Sequence, residues 1–451
     1  MLLTGTYVMR PTIDCNVPVS NMNSAVTQSR PFGQRYAFVV VGVIFVSLLI
    51  AAGLRSAPAV MMVPLEESLG WRRDVISFGA ATGIFLYGLA GPFAAALMER
   101  IGLRRTLVGA FALMSGSTAL SLFMTEAWQF VVTWGVFSGI GSGAVATVLG
   151  ATVVNRWFKT NRGLVMGLMS ASSATGLLVF LPLLASLAQS GGWRPVALAV
   201  SIATACLIPL VFLLVPERPS SIGTVRFGAE ADDVPPVSPA SEGNFIAHTL
   251  GTLKKAAGTR VFWYLFATFF ICGFTTNGLV GTHLIAFCSD QGIGEIQAAG
   301  LLSLMGIFDL IGTTFSGWLT DRFDPRKLLG VYYSIRGLAL IYLPFSGFSG
   351  TALIVFAVFY GLDWIATVPP TLRLTNEAFG DRSGPIVFGW IVAGHQVGAA
   401  AAAYFGGVMR EMQGDYQLAF VIAGMTGIIA ACLALLINTD RPSFDPEPQA
   451  V

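Results

Sequence analysis

Glu99-Arg100-Ile101-Gly102-Leu103-Arg104-Arg105 and, 222 positions later, Gly317-Trp318-Leu319-Thr320-Asp321-Arg322-Phe323-Asp324-Pro325-Arg326-Lys327 decide how this chain folds. Each is a short basic turn between two long apolar runs. Each sets a carboxylate before an arginine and closes on a basic pair after a tight turn. The spacing is that of a duplicated half-molecule, and the flanking apolar runs put both copies in a membrane. Secondary transporters built from two helical halves have this organisation.

Composition supports the membrane reading independently. Of 451 residues, 11% are charged and 54% are hydrophobic, and the mean hydropathy is +0.72; soluble domains carry about 25% charged residues. The five cysteines, Cys15, Cys206, Cys272, Cys288 and Cys432, are scattered, four of them in or beside apolar runs. No pair has metal-ligand spacing, so they read as small apolar residues rather than disulfides or zinc ligands. The net charge of +2 says little; its distribution says more.

A span needs about 20 apolar residues. Twelve fit, near 37–64, 75–98, 106–125, 128–154, 163–188, 193–215, 261–286, 296–319, 328–346, 350–376, 385–408 and 416–437. An even count puts both termini on one side. Only Arg72, Arg73, Arg194 and Arg410 then lie on the far side, and Arg55 and Arg336 lie within spans. Every other one of the 26 lysines and arginines falls on the side of the termini. The positive-inside rule makes that side cytoplasmic. The expected fold is an all-α integral membrane protein with twelve transmembrane helices in two pseudo-symmetric six-helix halves. Its expected location is the cytoplasmic (plasma or inner) membrane.

Residues 1–35 are polar and irregular, with Pro11, Pro18 and Pro31. They lack the layout of a cleaved signal and read as a flexible cytoplasmic tail. The halves are expected at 36–216 and 259–438. Between them, residues 217–258, with Pro235, Pro236 and Pro239, read as a cytoplasmic linker. Its segment 245–258, containing Lys254 and Lys255, suits a short interfacial helix. Residues 439–451 read as a disordered tail. No G-x-x-x-x-G-K-[ST] loop occurs, which points to ion- or gradient-coupled transport rather than ATP.

The two loops give the chain a resemblance to the major facilitator superfamily over nearly all of residues 36–438. That superfamily's loop reads Gly-x-x-x-Asp-Arg-x-Gly-Arg-Arg. Here Ala95 and Glu99 stand at the glycine and aspartate, followed by Arg100, Gly102, Arg104 and Arg105. The second copy keeps Gly317, Asp321, Arg322, Arg326 and Lys327, with Asp324 at the later glycine. Such a carboxylate at a helix end, flanked by arginines, can pair with a neighbouring helix in one state and release it in another; the alternative is a topology anchor only.

Further segments resemble the monocarboxylate and oxalate–formate transporter branch. They are Gly53-Leu54-Arg55 with Val63-Pro64-Leu65-Glu66-Glu67 and Gly70-Trp71-Arg72-Arg73, Gly163-Leu164-Val165-Met166-Gly167 after Arg156-Trp157-Phe158, and His283-Leu284-Ile285. The resemblance implies a small organic anion substrate and a substrate-binding cation near Arg55.

Ionisable groups inside the membrane cost about 3 kcal/mol or more unless paired or facing water. Arg55 lies roughly 27 Å from the start of its helix at 1.5 Å per residue. It suits a carboxylate clamp, since its donors engage both oxygens; the alternative is pairing with Glu66 or Glu67 or snorkelling outward. Asp309 and Arg336 flank the 8–9 loop and are expected to pair, with Asp363 a competing partner. Related transporters place an arginine where Thr313 stands. Arg336 is expected to be structural, and Asp309 a candidate proton carrier. His395 and Gln396 lie in the middle of span eleven, where a histidine binds an anion or accepts a proton, or simply bridges helices. Asn277, Thr275, Thr276 and His283 line span seven. Asp363-Trp364 before Pro369-Pro370 marks span ten as broken. Gly135, Gly139, Gly141 and Gly143, and Gly389, Gly394 and Gly398, mark faces for close helix approach.

The chain is thus expected to carry a small organic anion by alternating access, with a proton or in exchange for a counter-anion. The expected form is a monomer in the lipid bilayer without cofactor, metal or nucleic acid. Efflux of drugs or amphiphiles is the nearest alternative. A non-transporting nutrient sensor and a membrane-embedded enzyme stand further off, the latter because no His, Asp and Ser cluster occurs.

Overall fold

The computed structural model describes residues 31–145, 147–230 and 245–438. Twelve helices cross the bundle: α1 Pro31–Leu69, α2 Arg73–Arg100, α3 Leu103–Leu120, α4 Ala127–Trp157, α5 Arg162–Gly191, α6 Trp193–Leu214, α7 Arg260–Asp290, α8 Glu295–Thr320, α9 Pro325–Phe345, α10 Gly350–Gly380, α11 Ser383–Gln413 and α12 Gln417–Leu435. Among the described residues eleven are long and apolar enough to span a membrane, and α5 contributes the shorter apolar stretch Leu178–Gly191. Residues 1–30, 231–244 and 439–451, where most of the tails and the proline-bearing middle of the linker are expected, and residue 146 lie outside the described residues.

Two boundaries differ from the sequence reading. The first helix opens at Pro31, inside the expected tail, because proline's fixed φ suits a first helical position and the Tyr36 hydroxyl is anchored on the Leu214 carbonyl at 3.1 Å. The start of the expected linker is docked on the first half. Phe227 N–H donates to the Trp157 carbonyl (2.8 Å), Lys159 N–H to the Phe227 carbonyl (3.0 Å) and Gln34 Nε2 to the Ala229 carbonyl (3.0 Å). Beyond the undescribed stretch, the helix Phe245–Ala257 carries Lys254 and Lys255 in its last turn and holds α11 through Trp390 Nε1 and the Thr249 carbonyl (3.3 Å).

The break expected in α10 is present. The helix stops at Asp363 and resumes at Val368, with Pro369 and Pro370 in the new first turn, where a missing N–H costs nothing. In a membrane the freed backbone groups need protein partners. Arg336 Nη2 donates to the carbonyls of Asp363 (2.5 Å) and Trp364 (3.2 Å), Ile365 N–H donates to Asp309 Oδ1 (2.9 Å), and Ser316 Oγ donates to the Ala366 carbonyl (2.6 Å). The first half breaks at the matching place: α4 leaves helical geometry at Val145 (φ −108°, ψ 39°), and 145 plus the 222-residue repeat is 367, the last residue of the α10 break.

Within the halves α1 packs on α5, α2 on α4 and α3 on α6, and correspondingly α7 on α11, α8 on α10 and α9 on α12; the halves meet where α2 faces α11, α5 faces α8 and α1 faces α7. Gly135, Gly139 and Gly143 let α4 close on Gly79, Gly83 and Tyr87 of α2, while Gly141 faces Met114 of α3. Gly394 and Gly398 close on Phe266 and Phe270 of α7. Gly389, expected on the same face, has open space beside it.

Candidate functional site

At the end of the bundle away from the termini, the halves are tied chiefly through Arg73, with the exposed Arg72 beside it 3.9 Å from Glu411 Oε2. Arg73, only 4% exposed, is held at the start of α2 by four acidic or phenolic partners. Its Nε donates to Glu66 Oε2 (2.6 Å), and Nη1 and Nη2 donate to Asp290 Oδ2 and Oδ1 (2.9 and 2.8 Å). Nη1 also reaches the Tyr416 hydroxyl (3.4 Å), and the Arg73 backbone N–H donates to Glu411 Oε1 (2.8 Å). Arg410 grips the same Asp290 through Nε (2.6 Å). Charge-assisted, bidentate bonds of this kind are about twice as strong as neutral ones. Glu66 and Arg73 belong to the first half and Asp290, Arg410, Glu411 and Tyr416 to the second, so this end is sealed.

His283 belongs to that seal. It is fully buried, with Nε2 2.6 Å from the Ala403 carbonyl and Nδ1 3.2 Å from the Tyr416 hydroxyl. A carbonyl only accepts, so Nε2 is the donor. The expectation that His283 lines a substrate path gives way to a bracing position, because both ring nitrogens are already engaged by α11 and α12.

Deeper in the bundle, Arg55 is half-buried, with its guanidinium 4.9 Å from the centre of the Tyr87 ring. Its alternative partners are not used: Glu66 is bound by Arg73 and Glu67 is exposed. Arg55 forms no ion pair with any described residue. On the next residue of α2, Gly88, the side chain of Gln396 lies so close that a Cβ there would overlap it. Tyr87 and Gly88 therefore bring Arg55 of α1 and Gln396 of α11 to one stretch of α2. His395 packs on Phe269 (ring centres 5.0 Å apart), and its Nδ1 is buried without a hydrogen-bond partner. Asn277 is exposed on a π-helical turn, Phe274–Val280.

The acids of the second half are arranged differently from the expectation. Arg336, fully buried, pairs with Asp363 (Nε to Oδ2, 2.6 Å) and not with Asp309, and its Nη1 reaches Cys272 Sγ (2.9 Å). Asp309 instead accepts from Ile365 N–H and from Thr313 Oγ1 (2.9 Å). The reason is the break in α10. It exposes two carbonyls that call for a cation and an amide that calls for an anion, and Arg336 and Asp309 meet these needs separately. Thr313, four residues after the acid, keeps Asp309 satisfied without a second charge.

At the other end, each basic loop is bonded to its own half. Arg104 Nε donates to the Val215 carbonyl (2.8 Å) and its N–H to Glu217 Oε2 (3.3 Å). Arg322 Nη1 donates to the Trp318 carbonyl (3.1 Å) and its guanidinium lies 4.2 Å from the Trp318 ring. Asp324 receives Arg326 N–H (2.9 Å), Nε (3.1 Å) and, on Oδ2, Nη2 (2.9 Å). Arg100, Arg105, Asp321 and Lys327 are exposed, Gly317 lies inside α8, and the Glu99 side chain is not among those described. Every bond described for these loops stays within one half. Sequence reasoning missed the Arg73 hub, whose partners lie 7, 217, 338 and 343 positions away; its one signal was a buried-looking arginine among very few on the far side.

Comparison with known proteins agrees with this architecture. The family model of the Major Facilitator Superfamily matches residues 43–384 and 297–450. Monocarboxylate transporter 13 of Rattus norvegicus is 27% identical over 419 residues, covering 90% of this chain and 91% of that protein. The gallate transporter of Pseudomonas putida is 24% identical, covering 82% and 84%. A solved bacterial homologue of the human lysosomal transporter Spinster superposes with a TM-score of 0.72 at 15% identity, covering 89% of this chain and 97% of that one. With its twelve-helix bundle, its repeated basic loops and a family match over most of its length, the chain belongs to the Major Facilitator Superfamily, multi-pass membrane transporters of small molecules and not enzymes.

Proposed function

We propose that the chain carries a small organic anion of the monocarboxylate class by alternating access. The observation that carries this reading is Arg55, a membrane-embedded guanidinium that faces an aromatic ring and has no carboxylate partner among the described residues. Such a cation is expensive in the bilayer unless it meets an anion or water, and a substrate carboxylate supplies both oxygens its fork can hold. Gln396 adds an amide that donates to a carboxylate or hydroxyl. His395, with its unengaged Nδ1, is our candidate for proton coupling. Asp309, Arg336 and Asp363 are assigned to holding the α10 break. The names of the related carriers favour the same substrate class: one is a monocarboxylate transporter and one a gallate transporter, gallate being an aromatic carboxylate.

In this reading the side bearing the termini is cytoplasmic, and the Arg73 seal closes the opposite face while each cytoplasmic loop holds only its own half. The test is uptake of labelled small carboxylates into proteoliposomes with an imposed pH gradient. Wild-type protein is expected to accumulate one or a few of them, and Arg55→Ala to lose uptake while keeping its melting temperature. Undiminished uptake in Arg55→Ala removes the clamp. Uptake or stabilisation confined to lipophilic cations favours efflux of amphiphiles.

A further inference from the structure

A cavity of about 610 Å³ opens at the end of the first half that carries the termini, beside the first basic loop. Five arginines line it: Arg100, Arg104, Arg105, Arg156 and Arg218, from the end of α2, the start of α3, the end of α4 and the segment after α6. One acid, Glu217, faces them. We propose that this cavity binds the phosphate group of an anionic phospholipid.

Three observations carry the assignment. First, three of the five guanidiniums are not engaged by a described residue. Arg104 is engaged with the Val215 carbonyl and Arg156 with the Met98 carbonyl (3.3 Å), and Glu217 is committed to the first turn of α3 through the Arg104 N–H. The guanidiniums of Arg100, Arg105 and Arg218 have no ion pair or hydrogen bond with a described residue, yet they line one concave space. Three neighbouring guanidiniums repel one another and need an anion between them, and a phosphate matches their forked donors.

Second, the rest of the lining is apolar and opens outward. Ile101 and Phe212 are 41% and 57% exposed at the rim, and Leu213 and Leu97 beside them are 71% and 44% exposed. Arg104 lies 5.8 Å from the centre of the Phe212 ring. A charged pocket with an apolar lip at the mouth of a helix bundle suits an amphiphile whose head enters and whose chains stay in the hydrocarbon. Basic pockets between helices on the cytoplasmic side bind anionic headgroups in this way.

Third, the pocket breaks the internal symmetry. Arg100, Arg104 and Arg105 recur as Arg322, Arg326 and Lys327 after 222 positions, but the position matching Arg156 is Ala378, and that matching Arg218 is Asp440. Two of the five cations therefore belong to this half alone.

The test uses the purified full-length protein in detergent. Binding of phosphatidylglycerol and of phosphatidylcholine is counted by native mass spectrometry and read as a shift in melting temperature, with inorganic phosphate and glycerol phosphate as soluble arms. Phosphatidylglycerol is expected to bind and stabilise, phosphatidylcholine to do so far less. Each arginine near an anionic surface contributes about fivefold, so Arg105→Gln with Arg218→Gln is expected to weaken phosphatidylglycerol binding about thirtyfold. Arg322→Gln with Lys327→Gln, in the other copy, is expected to leave it unchanged. Should the double variant fail to fold, Arg218→Gln alone, on the exposed segment after α6, serves with an expected fivefold loss. Equal binding by wild type and variant, or equal loss in the second-copy control, overturns the proposal. Soluble phosphates binding as tightly, with the same sensitivity to Arg105 and Arg218, support the phosphate site but make its ligand soluble rather than lipid.

Discussion

Arg104 donates to the carbonyl of Val215, 111 residues away, and Arg326 donates to the carbonyl of Ile437, also 111 residues away. Each bond fastens the start of a half's third helix to the end of its sixth, and the two are 222 positions apart. The basic pairs that give the repeat away in the sequence are thus staples that close each six-helix half.

The same repeat explains why one loop has a glycine where the other has an aspartate. Gly102 (φ 102°) leaves no room for a Cβ, which would lie 2.7 Å from the carboxylate of Glu217. That borrowed carboxylate sits on the first turn of α3. At the matching position Asp324 supplies the anion from its own side chain. Gly102→Ala is therefore expected to cost about 1–3 kcal/mol, since its backbone region is open almost only to glycine. A melting temperature equal to wild type refutes this.

Asp324→Ala removes an N-cap and is expected to cost about 1 kcal/mol. The Arg326 hydrogen bonds hold the Asp324 carboxyl below the ordinary carboxylate range. Its contribution is then complete above about pH 4, the unfolded value, and fades as pH falls through the lower native value. Melting curves of wild type and variant should differ near neutrality and converge in acid; a gap that widens in acid contradicts the assignment.

Arg73→Ala takes the buried cation of the first half out of the interhalf seal, leaving the exposed Arg72, 3.9 Å from Glu411 Oε2. Losing one partner of a buried, hydrogen-bonded charge network costs about 3–5 kcal/mol, and most of that falls on the sealed state. Distances between spin labels on α2 and α11 near this end should lengthen and broaden. An unchanged distance distribution, with the protein still folded, shows that Arg73 does not hold the seal.

For Arg336 and Asp363, single and double replacements separate the pair from its surroundings. Arg336→Met is expected to cost about 3–5 kcal/mol by stranding Asp363, and Arg336→Met with Asp363→Leu to recover a large part of that. Recovery will be incomplete because the Asp363 and Trp364 carbonyls also lose their donor. Additive losses argue against coupling.

The spans, the repeat and the α10 break were legible because they rest on local signals: apolar length, a recurring basic turn, and Asp363-Trp364 ahead of two prolines. Arg55 stood out as the lone cation of the first apolar span. The true partner of Arg336 was one of two the sequence offered, and the choice depended on backbone groups that only the break exposes. His283 was read as lining because its helix carries polar residues, whereas Tyr416 and the Ala403 carbonyl, 133 and 120 positions on, engage it. Glu217 was invisible as a cap for α3 because it acts across 113 residues.

The break in α10 is mechanically braced. In α10 the interruption is filled from both neighbours: Asp309 and Ser316 from α8, and Arg336 from α9. An interruption braced by three neighbouring side chains has little freedom to open, so amide exchange in the working carrier should be slow at Ile365, whose N–H is held by Asp309.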